Sequence, residues 1–178
     1  MIEILPWSPD WSAKFSRKAA TIRSALGATA LRIDHIGSTS VDGLPAKPII
    51  DIQMSVADFE PIETLVELMQ TAGYIWRQSN GDLSKRYFRE QLSEERTHVH
   101  ICRAGSWHEQ WALLFRDYMR QHSHEHIPYA ALKLALAEKY PTDRPEYTEG
   151  KADHLWSVIR RADQWAADTD WRLGPTDA

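Results

Sequence analysis

The sequence predicts an α+β fold, a mixed β-sheet backed by helices and followed by a helical C-terminal portion. Three observations carry that expectation. Short alternating or apolar runs of strand length occur at Leu31 to Ile36, Ile49 to Val56, Lys85 to Glu90 and Thr97 to Arg103. Helical periodicity precedes the first pair and separates it from the second. Beyond residue 104 only helical periodicity remains. At 178 residues, 43% hydrophobic and 26% charged, the chain reads as one domain, sheet-containing over about 1–104 and helical over about 105–170.

The first helix is expected from Pro9-Asp10 to Leu26, since Trp11, Phe15, Ala19, Ile22 and Leu26 recur at helical spacing and Gly27 supplies a stop. The strand Leu31 to Ile36 is cut by Gly37-Ser38-Thr39-Ser40. After a return rich in Gly and Pro comes Ile49 to Val56, where alternation sends Ile50, Ile52, Met54 and Val56 to one face and Asp51, Gln53 and Ser55 to the other. Asp58 and Pro61 open a second helix carrying Ile62, Leu65, Val66 and Met69, closed by Gly73. A strand from Tyr74 to Gln78 turns at Ser79 to Asp82 and returns as Lys85 to Glu90. Along Thr97 to Arg103, His98, His100 and Cys102 share one face.

In the helical portion, Ser106 and Glu109 form a capping box ahead of a stripe made by Trp107, Trp111, Leu114, Phe115 and Tyr118. A helix from Pro128 to Lys139 carries Tyr129, Leu132 and Leu136. Pro145 opens a last helix on which Tyr147, Lys151, Leu155, Ile159, Ala162 and Trp165 share a stripe, and the tail from Trp171 is expected to fray. The eight tryptophans read mostly as packing anchors.

A formal net charge of −4 argues against a general nucleic-acid or anionic-membrane partner. Lys47, Lys85, Arg86, Arg89, Lys133 and Lys151 remain available for a local basic patch. The single cysteine, Cys102, excludes an intramolecular disulfide and a Cys-rich zinc site. With no secretory signal and no apolar run near the roughly 20 residues that span a bilayer, the expected location is cytoplasmic.

The informative stretch is Leu31 to Val56. Backbone N–H groups at a Gly-Ser turn approach a phosphate closely, because glycine has no Cβ. A strand carboxylate beside it, Asp51, suits a Mg²⁺ that bridges phosphates. Read without that context, Asp51 is a solvent-facing acid and Gly37-Ser38 a tight turn closed by its hydroxyls.

The run HIGSTSVDGLPAKPIID resembles the signature of the GrpB family, whose members look like nucleotidyltransferases of the DNA polymerase beta type. The resemblance continues through Lys85-Arg86-Tyr87-Phe88, Thr97-His98-Val99-His100, Phe115-Arg116-Asp117-Tyr118, Lys133, Tyr147 and Lys151. It implies a nucleotidyltransferase-like sheet, a nucleoside triphosphate (ATP first) as substrate, and transfer of a nucleotidyl group to an acceptor the sequence does not name. On that reading Gly37, Ser38, Thr39 and Ser40 contact phosphate, with Lys47, Arg86, Lys133 and Lys151 as charge partners. Asp51 is the main metal ligand and, with His100, a catalytic residue.

The resemblance also exposes a gap. Such enzymes usually carry a second acid two residues on, and here that position is Gln53, which can coordinate but brings no charge. His98 and His100 stand where a third carboxylate is expected. As ligands they would shift preference from Mg²⁺ toward Mn²⁺ or Zn²⁺; as phosphate partners or a general base they would work near neutral pH; or they are structural. The alternative function is a non-catalytic nucleotide- or coenzyme A-binding module, since similar domains occur fused to dephospho-CoA kinase. Arg116-Asp117 reads as an ion pair holding two helices, and His122 to His126 as a helix connection rather than a metal tract. Asp42 replaces a proline of the family, and either loosens the loop or adds an acid near the metal.

Overall fold

The computed structural model describes residues 1–79, 81–91 and 95–178. Asn80, within the expected turn at Ser79 to Asp82, lies outside them. Helix α1 (Asp10–Leu26) buries Trp11, Phe15, Ala19, Ile22 and Leu26 and stops at Gly27, whose φ of 51° a side chain would resist. Strands β1 (Arg32–Ile36) and β2 (Ile50–Val56) pair antiparallel on either side of a single 3₁₀ turn at Ser38–Ser40. Helix α2 (Ile62–Thr71) leads to β3 (Tyr74–Trp76), which pairs with β4 (Lys85–Glu90), and β4 pairs with β5 (Thr97–Arg103). The hairpin strand β3 is shorter than expected, although the Arg77 N–H still donates to the Tyr87 carbonyl.

The sheet order is β1-β2-β5-β4-β3, with β2 and β5 parallel and the other neighbours antiparallel. One face carries Ile33, Ile50, Ile52, Met54, Val99 and Ile101 and packs on α1 and α2. This is the core that the alternation of β2 predicts, and it supplies most of the apolar burial that holds the sheet.

The other face is covered only in part. Helix α3 (Trp107–Gln121) lies over the β2–β5 pair, so Gln53 and Ser55 are buried there despite being polar. The start of β2 is left open: Asp51 is half-buried, as are His98 and His100 beside it. Helices α4 (His126–Lys139), α5 (Arg144–Glu149) and α6 (Ala152–Thr169) complete the chain, and α3, α4 and α6 share a second core around Phe115, Met119, Tyr129 and Ile159.

The last helix is not continuous from Pro145: it breaks at Gly150, where a Cβ would sit 2.5 Å from Leu136 Cδ2. On α3 the expected stripe holds at Trp111, Leu114, Phe115 and Tyr118 but not at the exposed Trp107, and Leu113, Arg116 and Met119 are buried as well, because α3 packs against the sheet on one side and helices on the other. Trp156 is more than half exposed as well.

The tail does not fray. Thr176 Oγ1 accepts from the Ile33 N–H at 2.9 Å, and Asp177 Oδ2 accepts from the His35 N–H at 2.9 Å. These side chains satisfy the exposed edge of β1 as a neighbouring strand would. Arg116 is tied into the same place rather than between two helices. Its guanidinium bonds Asp117 Oδ1 at 2.8 Å, Asp177 Oδ2 at 2.9 Å and the His35 carbonyl at 3.3 Å.

Candidate functional site

The open part of the sheet is organised by one close approach. Gly37 has φ 71° and ψ −177°, a conformation that essentially only glycine adopts. A Cβ there would stand 2.6 Å from Asp51 Oδ2. The register agrees, since β1 and β2 pair Ile36 with Asp51. The small-residue turn and the strand carboxylate therefore share one wall, and the glycine is what lets them.

Across the parallel pairing, Asp51 stands opposite His98, and Gln53 opposite His100. His98 Nδ1 donates to Asp51 Oδ1 at 3.1 Å, and His100 Nε2 lies 3.9 Å from the same oxygen. Burial pushes the Asp51 carboxyl up, but its interactions with His100 and His98 outweigh that and hold it well below the usual carboxylate range. One atom from each of Asp51, His98 and His100 falls within 4.8 Å of the others, a donor set of one carboxylate and two imidazoles that fits a divalent transition ion. Tyr87 on β4 stacks on His100 with ring centroids 5.2 Å apart and meets His98 edge-on, which fixes both rings.

Gln53 occupies the position of the missing second acid, and its amide is already engaged. Its Nε2 donates to the Glu109 carbonyl at 3.1 Å, tying β2 to the first turn of α3. Only the amide oxygen is left for an ion. Asp42 is exposed on the loop beyond Ser40, and the cluster found among the described residues does not include it.

On the other side of Asp51 a pocket of about 390 Å³ opens, walled by Ser38, Thr39, Lys47, Lys133 and Lys151. Lys133 comes from α4, where its neighbours Tyr129 and Leu136 face the core and carry it inward. Its Nζ donates to Ser38 Oγ at 3.1 Å and to the Pro45 carbonyl. Lys151 is not on the α6 stripe; it caps the start of α6 at the break after α5, which aims it at the pocket. Lys47 and Lys151 approach the Tyr147 ring at 4.5 and 4.8 Å.

Burial, with the charges of Lys151 and Lys47, brings Lys133 down to about 7, and burial with Lys47 brings Lys151 down to about 8. Burial lowers Lys47 as well. Three lysine amines gathered on one pocket, with a carboxylate at its edge, can take a polyanion, whose charge would favour their protonated forms.

A third surface joins this one. A largely apolar slot of about 270 Å³ runs from Gly37, Ser38 and Asp51 past His100 to Trp111 and Phe115, whose rings stack 5.8 Å apart. Ser40 faces inward without lining either pocket; its Oγ donates to the Gly37 carbonyl at 2.6 Å and shapes the turn. His35 lies beneath, with Nε2 3.0 Å from Thr39 Oγ1 and its ring stacked on Phe15, a buttress rather than a participant.

Arg86 is a correction. It sits on the opposite face of β4, over the Phe59 ring at 4.3 Å and bonded to the Leu83 carbonyl, away from Asp51. Parity puts Lys85, Tyr87 and Arg89 on the site's face, because Phe88 must face the core. That signal was available in the sequence. The histidine tract is engaged elsewhere: His122 Nδ1 is 2.8 Å from the Tyr118 carbonyl, and His126 Nε2 is 2.9 Å from the Met119 carbonyl.

With this geometry in hand, comparison with known proteins is informative. The sequence profile of the GrpB protein family matches residues 1–161. A UPF0157 protein of Pseudomonas aeruginosa is 38% identical over 165 residues, covering 90% of this chain and 67% of its own length. A dephospho-CoA kinase of Mycolicibacterium paratuberculosis is 30% identical over 196 residues, covering 96% of this chain but 48% of the kinase. The crystal structure of a conserved GrpB protein from Enterococcus faecalis superposes with a TM-score of 0.83 at 30% identity, covering 92% of this chain and 99% of that one.

Proposed function

This chain belongs to the GrpB family, and on that premise we propose that it binds a metal–nucleoside triphosphate complex and transfers the nucleotidyl group to an acceptor. One observation carries the reading: the Gly37–Ser38 turn, Asp51 and three inward lysines line a single pocket. The phosphates occupy the lysine pocket, and the flat base enters the slot against Trp111 and Phe115. Asp51, His98 and His100 would hold a divalent ion, Mn²⁺ or Zn²⁺ by donor type and Mg²⁺ by the resemblance. When bound, that ion supplies charge stabilisation to the phosphates.

The side chains do the remainder. Lys133 and Lys151 neutralise the phosphates as attack on the α-phosphorus expels pyrophosphate, and Ser38 Oγ, already bonded to Lys133, positions an oxygen. Tyr87 and the Gly37 turn hold the two histidines and the carboxylate in place.

A second reading is a nucleotide- or coenzyme A-binding module without turnover. Gln53 in the place of a second acid favours it, since an amide brings no charge to the site beside Asp51. Similarity to the dephospho-CoA kinases agrees with either reading.

The test is thermal-shift titration with Mg²⁺ or Mn²⁺ and each triphosphate, paired with an assay for pyrophosphate. Stabilisation of wild type but not of Asp51→Ala, with pyrophosphate release, supports transfer. Stabilisation without release selects the binding module. If no nucleotide stabilises wild type more than Asp51→Ala, transfer fails, and if coenzyme A does not stabilise it either, the binding module fails as well.

A further inference from the structure

The face that carries Asp51 continues past His98 into a separate basin of about 360 Å³. Its cations come from four parts of the chain: Lys47 from the loop before β2, Arg89 from β4, Arg96 from just before β5, and Arg144 from the start of α5. Tyr87 and His98 form the wall nearest the metal cluster. Register places Arg89 directly across from His98, so the basin is built into the sheet and not laid on its surface.

Among the described residues the counter-charges do not match. Glu90 takes one arm of Arg89 at 3.0 Å and stands 4.0 Å from Arg96 Nε, while Glu3 sits on the exposed rim. Glu90 is also committed to the Thr97 N–H at 2.9 Å. Among the described residues, the Nε atoms of both Arg89 and Arg96 are buried and have no hydrogen-bond partner. Buried donors are normally satisfied, so two orphaned guanidinium N–H groups in one basin leave a place for an acceptor of opposite charge.

The basin meets the lysine pocket at Lys47, Ile49, His98 and Thr148, and shares no lining residue with the apolar slot. An anion in the basin therefore lies across His98 from the Gly37–Ser38 turn. We propose that Arg89, Arg96, Arg144 and Lys47 form a second oxyanion site, which holds a phosphate or carboxylate group on the acceptor. The class of second substrate is thus a small anionic molecule, anchored by its charge. The acceptor role rests on the nucleotide reading of the lysine pocket; the anion site itself does not.

The experiment follows the Arg Nε–H signals of ¹⁵N-arginine-labelled protein by NMR while inorganic phosphate, and separately succinate, is added. ATP affinity is measured in parallel by calorimetry. Wild type is compared with Arg96→Gln/Arg144→Gln and with Lys133→Met/Lys151→Met. Phosphate or succinate is expected to shift the Arg89 and Arg96 Nε–H signals in wild type and in the lysine variant alike, and the more effective of the two identifies the anionic group. ATP affinity is expected to fall at least about tenfold in the lysine variant and less than about threefold in the arginine variant. Unmoved Nε–H signals with both anions overturn the site. Equal loss of ATP affinity in both variants also overturns the proposal, by giving the basin to the nucleotide's own phosphates. If ATP binds none of the proteins while the Nε–H signals still shift, the nucleotide reading fails and the anion site stands.

Discussion

Replacing Gly37 by alanine is expected to damage the protein twice. The backbone conformation alone costs about 1–3 kcal/mol for a residue with a Cβ, and the added atom would press on Asp51 Oδ2 from 2.6 Å. Gly37→Ala should therefore lower the denaturation midpoint and abolish metal binding together, whereas Ser38→Ala should reduce nucleotide affinity with little change in stability. Melting curves with calorimetry of metal binding separate the two. His35 supplies a pH dependence. Burial first, then the charge of Arg120, lowers its pKa to about 4. The unfolded chain thus binds an extra proton between about pH 6.5 and 4, and stability falls as pH drops through that window. The loss is about 3 kcal/mol, and His35→Gln should lack it in chemical denaturation at several pH values.

At the scale of elements, the tail acts as a surrogate strand. Removing residues 172–178 deprives the Ile33 and His35 N–H groups of their acceptors and Arg116 of one of its carboxylate partners, Asp177. A loss of roughly 2–3 kcal/mol follows, with faster amide exchange at Ile33 and His35 than in β5. Unchanged exchange along β1 would contradict this role. The limits of sequence reading also show at this scale. Helix α1, the inner face of β2 and the β1–turn–β2 unit were legible, because period and capping residues are local properties. The break at Gly150 was not, and the contact a Cβ there would make with Leu136 on another helix shows only once the helices are packed. Nor was the tail, whose polar residues look disordered until the edge of β1 is placed beside them. Lys133 was singled out by resemblance, but its burial depends on how α4 docks, and Arg96 and Arg144 gather only through β-pairing and the turn into α5. Arg86 was misplaced although strand parity contained the answer.

For the molecule as a whole, the lysine pocket makes nucleotide affinity depend on pH. Lys133 at about 7 and Lys151 at about 8 are charged in acid and lose protons as pH rises. A bound polyphosphate favours the charged forms, so binding takes up protons and weakens above neutrality. Between pH 7.5 and 9 the ATP affinity should fall about tenfold or more, and Lys133→Met should bind more weakly with a shallower slope. An affinity that rises over this range would mean that the ammonium groups do not contact the phosphates. Chain length bears on the acceptor too. This chain spans 67% of the Pseudomonas relative and 48% of the mycobacterial kinase, so the activity of those longer proteins does not define its own.

Nucleotidyl transfer at this site needs one ion that touches both the strand's side chains and a phosphate. Pulsed electron paramagnetic resonance on Mn²⁺ with a non-hydrolysable ATP analogue reads both contacts at once. Coupling of the manganese to imidazole nitrogen and to phosphorus in wild type, with the nitrogen coupling lost in His98→Ala/His100→Ala, is the expected result. Phosphorus coupling without nitrogen, or spectra that Asp51→Asn leaves unchanged, would contradict it.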